Sequence, residues 1–141
     1  MVSEKKFEVH VPSVLGCEKV AMDFAASVAR TINFPPDRVE DLKTAVAEAC
    51  TNAIEHGNKL DASTKVGITL TVADGRLQVD VEDEGRGIRD VPSPDIDEKI
   101  AGTSNPRGWG IFLIDSLMDE VKFESTPEGK NVVKMIIHLE R

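Results

Sequence analysis

Several features that mark other classes of protein are missing from this 141-residue sequence. No apolar run approaches the roughly 20 residues that a membrane-spanning helix requires. The N-terminal stretch MVSEKKFEVHVP carries charges but no apolar segment behind them, so a signal peptide is not expected. The only two cysteines, Cys17 and Cys50, fit no metal-ligand spacing. These absences predict a cytoplasmic protein without a membrane anchor, in which both cysteines are buried free thiols.

Positive charge is scarce as well, because 17 basic side chains stand against 25 acidic ones and the formal net charge is −8. Nonspecific binding to DNA or to an anionic membrane depends on neutralising phosphates, so we expect no direct nucleic-acid partner. A net negative charge suits a basic protein partner instead. Internal repeats and low-complexity tracts are also absent, and the length predicts a single domain over residues 1–141.

The periodic segments that the sequence does contain follow one another as strand, helix, helix, two strands, loop, helix and two strands. KFEVHV alternates as a half-buried strand does. Ser13 offers an N-cap for a first helix, whose apolar anchors are Val14, Val20, Phe24 and Val28. Asp37 begins a second helix that Gly57 ends, and Ala73-Asp74-Gly75 joins two strands as a hairpin. This order predicts an α+β two-layer sandwich.

The second helix places polar groups at regular intervals beside its apolar stripe. At about 100° per residue, the stripe that faces the sheet consists of Leu42, Ala45, Val46, Ala49 and Ala53. Glu48 and Asn52 fall to one side of this stripe with His56 one turn further along, and groups four residues apart stack above one another. One interpretation is a polar boundary column satisfied by water. The other is a cleft in which a carboxylate acts as a base beside an amide oxygen that binds Mg²⁺.

Glycines mark two further segments around an irregular stretch at residues 84–108. VDVEDEGRGI ends a strand at Asp83, and Gly85 and Gly87 let the backbone pass close to a ligand there. The carboxylate can accept a hydrogen bond from an exocyclic amine, but an acidic β-turn is the simpler interpretation. NPRGWGIF opens a helix with Gly108 and Gly110, and backbone N–H groups at a helix start form a phosphate site. Each motif alone is weakly specific.

Together, and in this order, the three motifs resemble the GHKL ATPase superfamily, whose members bind ATP in a Bergerat fold. EACTNAIEHG is similar to its N-box, VEDEGRGI to its first glycine box and RGWGIFLI to its second. RGWGIFLIDSLMDEVKFES and the short length resemble, more narrowly, the anti-sigma serine kinases of bacterial partner-switching systems. The resemblance covers nearly the whole chain. It implies the Bergerat type of two-layer α/β sandwich, in which helices cover one face of a mixed, mostly antiparallel sheet.

The resemblance implies a role for the residues that match the first two boxes. Glu48 would be the general base that takes the proton from an acceptor hydroxyl. Asn52 would bind Mg²⁺, which bridges the ATP phosphates. Asp83 would bind the adenine amino group, with Gly85 and Gly87 making room for the base. These residues would position the nucleotide and neutralise its charge, which is what phosphoryl transfer chiefly requires.

The second glycine box and its surroundings gain roles in the same way. Gly108 and Gly110 would donate backbone N–H groups to the phosphates, and residues 88–107 would form a lid over the nucleotide. Arg107 would reach the γ-phosphate, and Lys19 stands where relatives have a basic residue that contacts their partners. His56 would cap the helix or support the site. The family often has a Thr in the penultimate turn that supports the adenine site, whereas this sequence has Gly129-Lys130-Asn131 there.

The function implied by the resemblance is that of an ATP-dependent protein serine kinase and anti-sigma factor. It would phosphorylate a serine of a small antagonist (anti-anti-sigma) protein, sequester a sigma factor and form a homodimer. One alternative is a non-catalytic, nucleotide-dependent partner-binding module, against which Glu48 argues because a pure binder needs no base. Another is a catalytic ATP-binding domain related to sensor histidine kinases, although nothing in the sequence resembles their phosphoacceptor helix pair.

Overall fold

A computed structural model describes residues 4–85 and 106–139. The elements occur in the predicted order, which confirms the α+β two-layer architecture. The helices are α1 (Glu18–Thr31), α2 (Pro36–Asn52) and α3 (Pro106–Leu117), and a π turn (Ala53–Gly57) continues α2. The strands are β1 (Lys5–Pro12), β2 (Lys65–Ala73), β3 (Arg76–Asp83), β4 (Glu120–Ser125) and β5 (Asn131–His138).

The five strands form one sheet in the order β1-β2-β3-β5-β4, and all four pairings in this part of the chain are antiparallel. Side chains alternate across the sheet as the strand period requires. Val66, Ile68 and Leu70 of β2 are fully buried on the helix side, whereas Gly67 and Thr69 between them are partly exposed. The helices therefore cover one face of the sheet, as predicted, and the other face carries mainly polar side chains.

The first helix begins at Glu18 and not directly after Ser13, so the prediction of Ser13 as its N-cap is wrong. The Ser13 side chain is buried and bonded to Thr64 Oγ1 at 2.9 Å, which removes it from any capping role. The predicted anchors Val14 and Val20 are also wrong, since they are 45% and 52% exposed. The buried face of α1 consists of Ala21, Ala25, Ala26, Val28 and Ala29.

The stripe predicted for α2 is confirmed, because Leu42, Ala45, Val46, Ala49 and Ala53 are all buried. The α-helical period, however, stops at Asn52. From Ala53 to Gly57 the backbone forms a π turn, in which i→i+5 bonds replace i→i+4 bonds. The regular α-helical column predicted for this helix is therefore observed only as far as Asn52. His56 itself is half-buried.

Both cysteines are free, and Cys50 is buried while Cys17 is partly exposed. Desolvation, with the nearby Glu18 carboxylate and Cys17 adding to it, raises the pKa of Cys50 to about 12. Its thiol therefore stays protonated and unreactive at neutral pH. Among the described helices, none is long and apolar enough to cross a membrane.

A buried ion cluster lies where α2 begins. Arg38 is 4% exposed, and its Nη2 donates to Asp119 Oδ2 at 2.8 Å and its Nη1 to Asp41 Oδ2 at 3.3 Å. Asp119 Oδ2 also accepts the backbone N–H of His138 at 2.8 Å. This cluster joins the start of α2, the segment after α3 and the end of β5.

Candidate functional site

The predicted base and the predicted metal ligand lie against the first turns of α3. Gly110 is buried, and a Cβ atom added to it would lie 2.9 Å from Glu48 Oε2 and 3.5 Å from Asn52 Nδ2. Glu48 and Asn52 themselves are partly exposed. The N-box helix and the second glycine box, which are separated by more than fifty residues in sequence, thus pack against each other.

Gly110 has a packing role that the sequence did not suggest. A side chain at this position would press on the end of the Glu48 side chain, so the Glu48 carboxylate would have to move for α3 to stay this close to α2. Gly110 is the fifth residue of α3, beyond the first-turn N–H groups that lack a partner within the helix. Gly108 lies within that first turn, where backbone N–H groups have no partner inside the helix.

The second part of the site is built around Asp83 at the end of β3. Asp83 as a whole residue is only 6% exposed. The Oδ1 atom accepts the backbone N–H of Gly85 at 2.7 Å and the side-chain amide of Asn131 at 3.1 Å. On the other side, the carboxylate packs against Gly57, where an added Cβ would overlap Oδ2. Asp83 is therefore held as a hydrogen-bond acceptor in a defined orientation.

Gly85 adopts a φ of +73°, a left-handed conformation that a residue with a side chain rarely takes. A Cβ atom there would also overlap the carbonyl oxygen of Gly129. The sequence assigned Gly85 to making room for a base. The structure adds that this conformation of Gly85 lets the turn between β4 and β5 pack directly on it.

The two parts of the site are joined by α2 and its π turn. Glu48 and Asn52 lie in the last turns of α2, and the π turn then ends at Gly57 against Asp83. π turns occur frequently at functional sites. A single continuous segment therefore sets the separation between the carboxylate of Asp83 and the pair formed by Glu48 and Asn52.

A buried polar network that sequence reasoning missed lies behind Asp83. Asn58 is fully buried, and its Oδ1 accepts the backbone N–H of Glu84 at 2.8 Å. Its Nδ2 donates to Ser13 Oγ at 2.9 Å and to the Lys65 carbonyl at 3.1 Å. Ser13 in turn bonds to Thr64. Asn58 thereby ties the end of the π turn to the residue that follows Asp83. An asparagine after a helix-ending glycine suggests only a turn, so no pattern in the sequence indicated its burial.

The structure describes only some of the remaining predicted site residues. Gly87 and residues 88–105 of the predicted lid lie outside the described residues, as does the side chain of Arg107. The backbone of residues 106 and 107 is helical, so α3 already begins within the predicted lid. Lys19 is exposed in the first turn of α1.

The donor set fits one kind of metal ion. In the described part of the chain, no group of three or more His, Cys, Asp or Glu side chains is arranged to hold a metal. An ion bound mainly by protein ligands therefore does not fit these residues. Mg²⁺ commonly keeps its waters and binds substrate phosphates with only one or two protein oxygens. The partly exposed Asn52 can supply one such oxygen.

Comparison with known proteins adds to this geometry. A protein-family model described as a histidine kinase-like ATPase domain matches residues 15–137. The chain is 37% identical over 110 residues to the serine-protein kinase RsbW of Bacillus subtilis, covering 71% of this chain and 66% of that protein. It is 30% identical over 128 residues to the anti-sigma F factor of Bacillus subtilis, covering 88% of this chain and 86% of that protein. The chain thus spans about two thirds of the first relative's length and most of the second's.

A solved structure shows the same fold. The crystal structure of the RsbU and RsbW domains of a Mycobacterium tuberculosis protein matches with a TM-score of 0.69 at 15% sequence identity. The match covers 95% of this chain and 32% of that one. At this level of identity the likeness concerns the fold.

Proposed function

The chain belongs to the family of histidine kinase-like ATPase domains, and from this premise we propose that it is an ATP-dependent protein serine kinase. Its substrate is a serine on a small antagonist protein, and in its other role it binds and sequesters a sigma factor. The names of its relatives, a serine-protein kinase and an anti-sigma factor, support this proposal. The cytoplasm as its location and a homodimer as its assembly are parts of the same proposal.

The observation that carries the proposal is the approach of Gly110 to Glu48 and Asn52. It puts a carboxylate and an amide beside the start of α3, where the backbone N–H of Gly108 can bind a phosphate. Mg²⁺, when bound, would neutralise phosphate charge, and Asn52 would supply one of its ligands. Glu48 is then close to the place where a phosphoryl group and an incoming hydroxyl meet.

Glu48 serves as the general base in the transfer step. Its carboxylate accepts the proton of the substrate serine hydroxyl as the serine oxygen bonds to the γ-phosphorus. The bond from that phosphorus to the bridging oxygen of the leaving ADP breaks in the same displacement. Glu48 lies in the last turns of α2, against α3, so the base is positioned before the hydroxyl arrives.

Asp83 serves the other end of the nucleotide. Because two N–H groups already donate to its Oδ1, the carboxylate is fixed as an acceptor. An exocyclic amine of adenine can donate to such a group, whereas the carbonyl oxygen of guanine would face it as a second acceptor. The geometry thus favours ATP over GTP.

Affinity capture from the native cell tests this proposal. Immobilised protein is incubated with cell extract, with and without Mg-ATP, and bound proteins are identified by mass spectrometry. We expect a sigma factor among the captured proteins and a small protein that gains one phosphoserine when Mg-ATP is present. Nucleotide-dependent capture without any phosphoserine would instead support a non-catalytic binding module. Phosphate on a histidine would support a sensor-kinase relative.

A further inference from the structure

Asn131 opens β5 at the position directly opposite Asp83 in the β3–β5 pairing. Its side chain makes two hydrogen bonds in opposite directions. Nδ2 donates to Asp83 Oδ1 at 3.1 Å, and Oδ1 accepts the hydroxyl of Ser125 at 3.4 Å. Ser125 is in turn the pairing partner of Asn131 on β4. A row of three side chains therefore runs across β4, β5 and β3 and ends on the Asp83 carboxylate.

The row fixes which end of the amide faces Asp83. A Ser hydroxyl can donate to an amide oxygen, and an ionised carboxylate can only accept. Both bonds are therefore satisfied only if the NH₂ group of Asn131 points toward Asp83 and the oxygen toward Ser125. The reverse orientation would place two acceptors face to face. The Asp83 carboxylate thus decides the orientation of the amide, and the Ser125 hydroxyl, which can donate to the amide oxygen, is compatible with it.

The turn between β4 and β5 holds this row in place. Thr126 N–H donates to the Lys130 carbonyl at 2.8 Å, and Gly129 N–H donates to the Thr126 carbonyl at 2.9 Å. The carbonyl of Gly129 lies against Gly85, two residues after Asp83. The turn therefore contacts both Asn131 and the Asp83–Gly85 segment. Backbone contacts, and not only the side-chain hydrogen bond, fix the position of Asn131 relative to Asp83.

From this arrangement we infer that Asn131 is a positioning residue that determines nucleotide selectivity through Asp83. This inference rests on the proposed ATP site. The Asn131 amide holds the Asp83 carboxylate in a fixed orientation as an acceptor, so that it recognises a purine with an amino group at C6 and rejects one with a carbonyl group there. Asn131 itself contacts neither the phosphates nor the transferred group.

A pair of nearly isosteric variants tests the donor directly. Asn131→Val and Asn131→Thr both place a β-branched side chain on a strand, where such residues are well tolerated. They differ in that Thr retains a hydroxyl that can donate to Asp83. ATP and GTP affinities of wild type and both variants are measured by calorimetry in Mg²⁺. Thermal unfolding and the steady-state kinetics of phosphotransfer are recorded alongside.

We expect Asn131→Val to weaken ATP binding by about tenfold, the effect of losing a hydrogen bond to a charged group. The ATP-to-GTP preference should fall with it, while Asn131→Thr should restore most of both. KM for ATP should rise in Asn131→Val with kcat nearly unchanged, because Glu48 lies in the other part of the site. Ser125→Ala should have a smaller effect of about twofold, since its 3.4 Å bond is long and exposed.

Two results would overturn the inference while leaving the proposed function standing. One is an Asn131→Val variant that binds ATP and discriminates against GTP like the wild type. The other is equal loss in the Val and Thr variants, which would mean that the amide shape and not its donor is needed. If wild-type protein binds neither nucleotide, the proposed function fails first and this inference fails with it.

Discussion

Single atoms decide how closely the two halves of the candidate site approach each other. The missing side chain of Gly110 allows α3 to lie on the Glu48 carboxylate, and the missing side chain of Gly57 allows Asp83 to lie on the π turn. Glu48, Asn52, Asp83 and the glycines were recognisable in the sequence because their types and spacing carry the resemblance. What each glycine touches was not, since close approach depends on packing between segments distant in sequence.

Gly110→Ala tests the packing at the site. Alanine favours a helix by about 1 kcal/mol over glycine, so the variant should be at least as stable as wild type. Its Cβ, 2.9 Å from Glu48 Oε2, should nevertheless displace the base and lower phosphotransfer by about ten- to a hundredfold.

The matched control for this prediction is Ser116→Ala, an exposed change in the same helix that should leave transfer unaltered. Thermal melts and transfer rates are measured together on both variants. Wild-type transfer by Gly110→Ala would show that Glu48 is not constrained from this side.

The role of Asn131 could be predicted from the sequence only in part. The sequence shows that Asn131 departs from the family pattern, but its hydrogen bond to Asp83 depends on the β3–β5 register. That register is set by pairing between two strands that are more than forty residues apart in sequence, which local sequence patterns do not report.

Elements were predicted well in type and order and less well at their ends. The hairpin at Asp74-Gly75 was predictable because two left-handed residues suit a tight two-residue connection. The start of α1 was not, because the hydroxyl of Ser13 is taken up by Thr64 and Asn58 and not by the helix. The π turn was also unpredictable from period alone, since it follows seventeen regular α-helical residues.

Asn58 connects the end of the π turn to Glu84 after β3 and to Lys65 at the start of β2. Asn58→Ala should lower the free energy of unfolding by about 2–3 kcal/mol, because it removes a fully buried side chain together with its part-buried hydrogen bonds to the Glu84 N–H and the Lys65 carbonyl. Urea denaturation measures the loss, and hydrogen exchange at the Glu84 amide should accelerate.

Ser13→Ala provides the comparison for Asn58→Ala. It removes one hydroxyl from the same network but keeps the bonds of Asn58 to Glu84 and Lys65, so it should cost only about 1 kcal/mol. Equal losses in the two variants would contradict the assignment of Asn58 as the centre of the network.

Across the whole molecule, α2 and β5 both begin or end at the Arg38 ion cluster and reach the candidate site at their other ends. Arg38 bonds the carbonyl of His138 at one end of β5, and Asn131 stands at the other. At about 3.3 Å per residue, the seven intervals between them separate the two ends by about 23 Å. The sequence predicted neither the Arg38 ion cluster nor its distance from the candidate site. Most arginines are exposed, and nothing in the sequence distinguishes a buried arginine from an exposed one.

This separation predicts that stability and nucleotide binding can be changed independently. Arg38→Met should destabilise the fold by about 2 kcal/mol, less than for a fully buried pair, because Asp41 and Asp119 stay 29% and 26% exposed. ATP affinity at a temperature where the variant is folded should change less than twofold, since sites this far apart act additively. A large loss of affinity would mean that the two ends are coupled through α2.

The most direct test of the account concerns Glu48. Glu48→Gln preserves the shape of the side chain but removes the base. It should keep Mg-ATP affinity within a few-fold of wild type and lower transfer to the antagonist serine by about 10²–10⁴-fold. Glu40→Gln, an exposed change on the same helix, should leave both unchanged. The measurement is the rate of transfer from radiolabelled ATP, paired with calorimetric binding of Mg-ATP. Transfer by Glu48→Gln at the wild-type rate would contradict the central claim that this carboxylate, held against Gly110, is the base of a protein serine kinase.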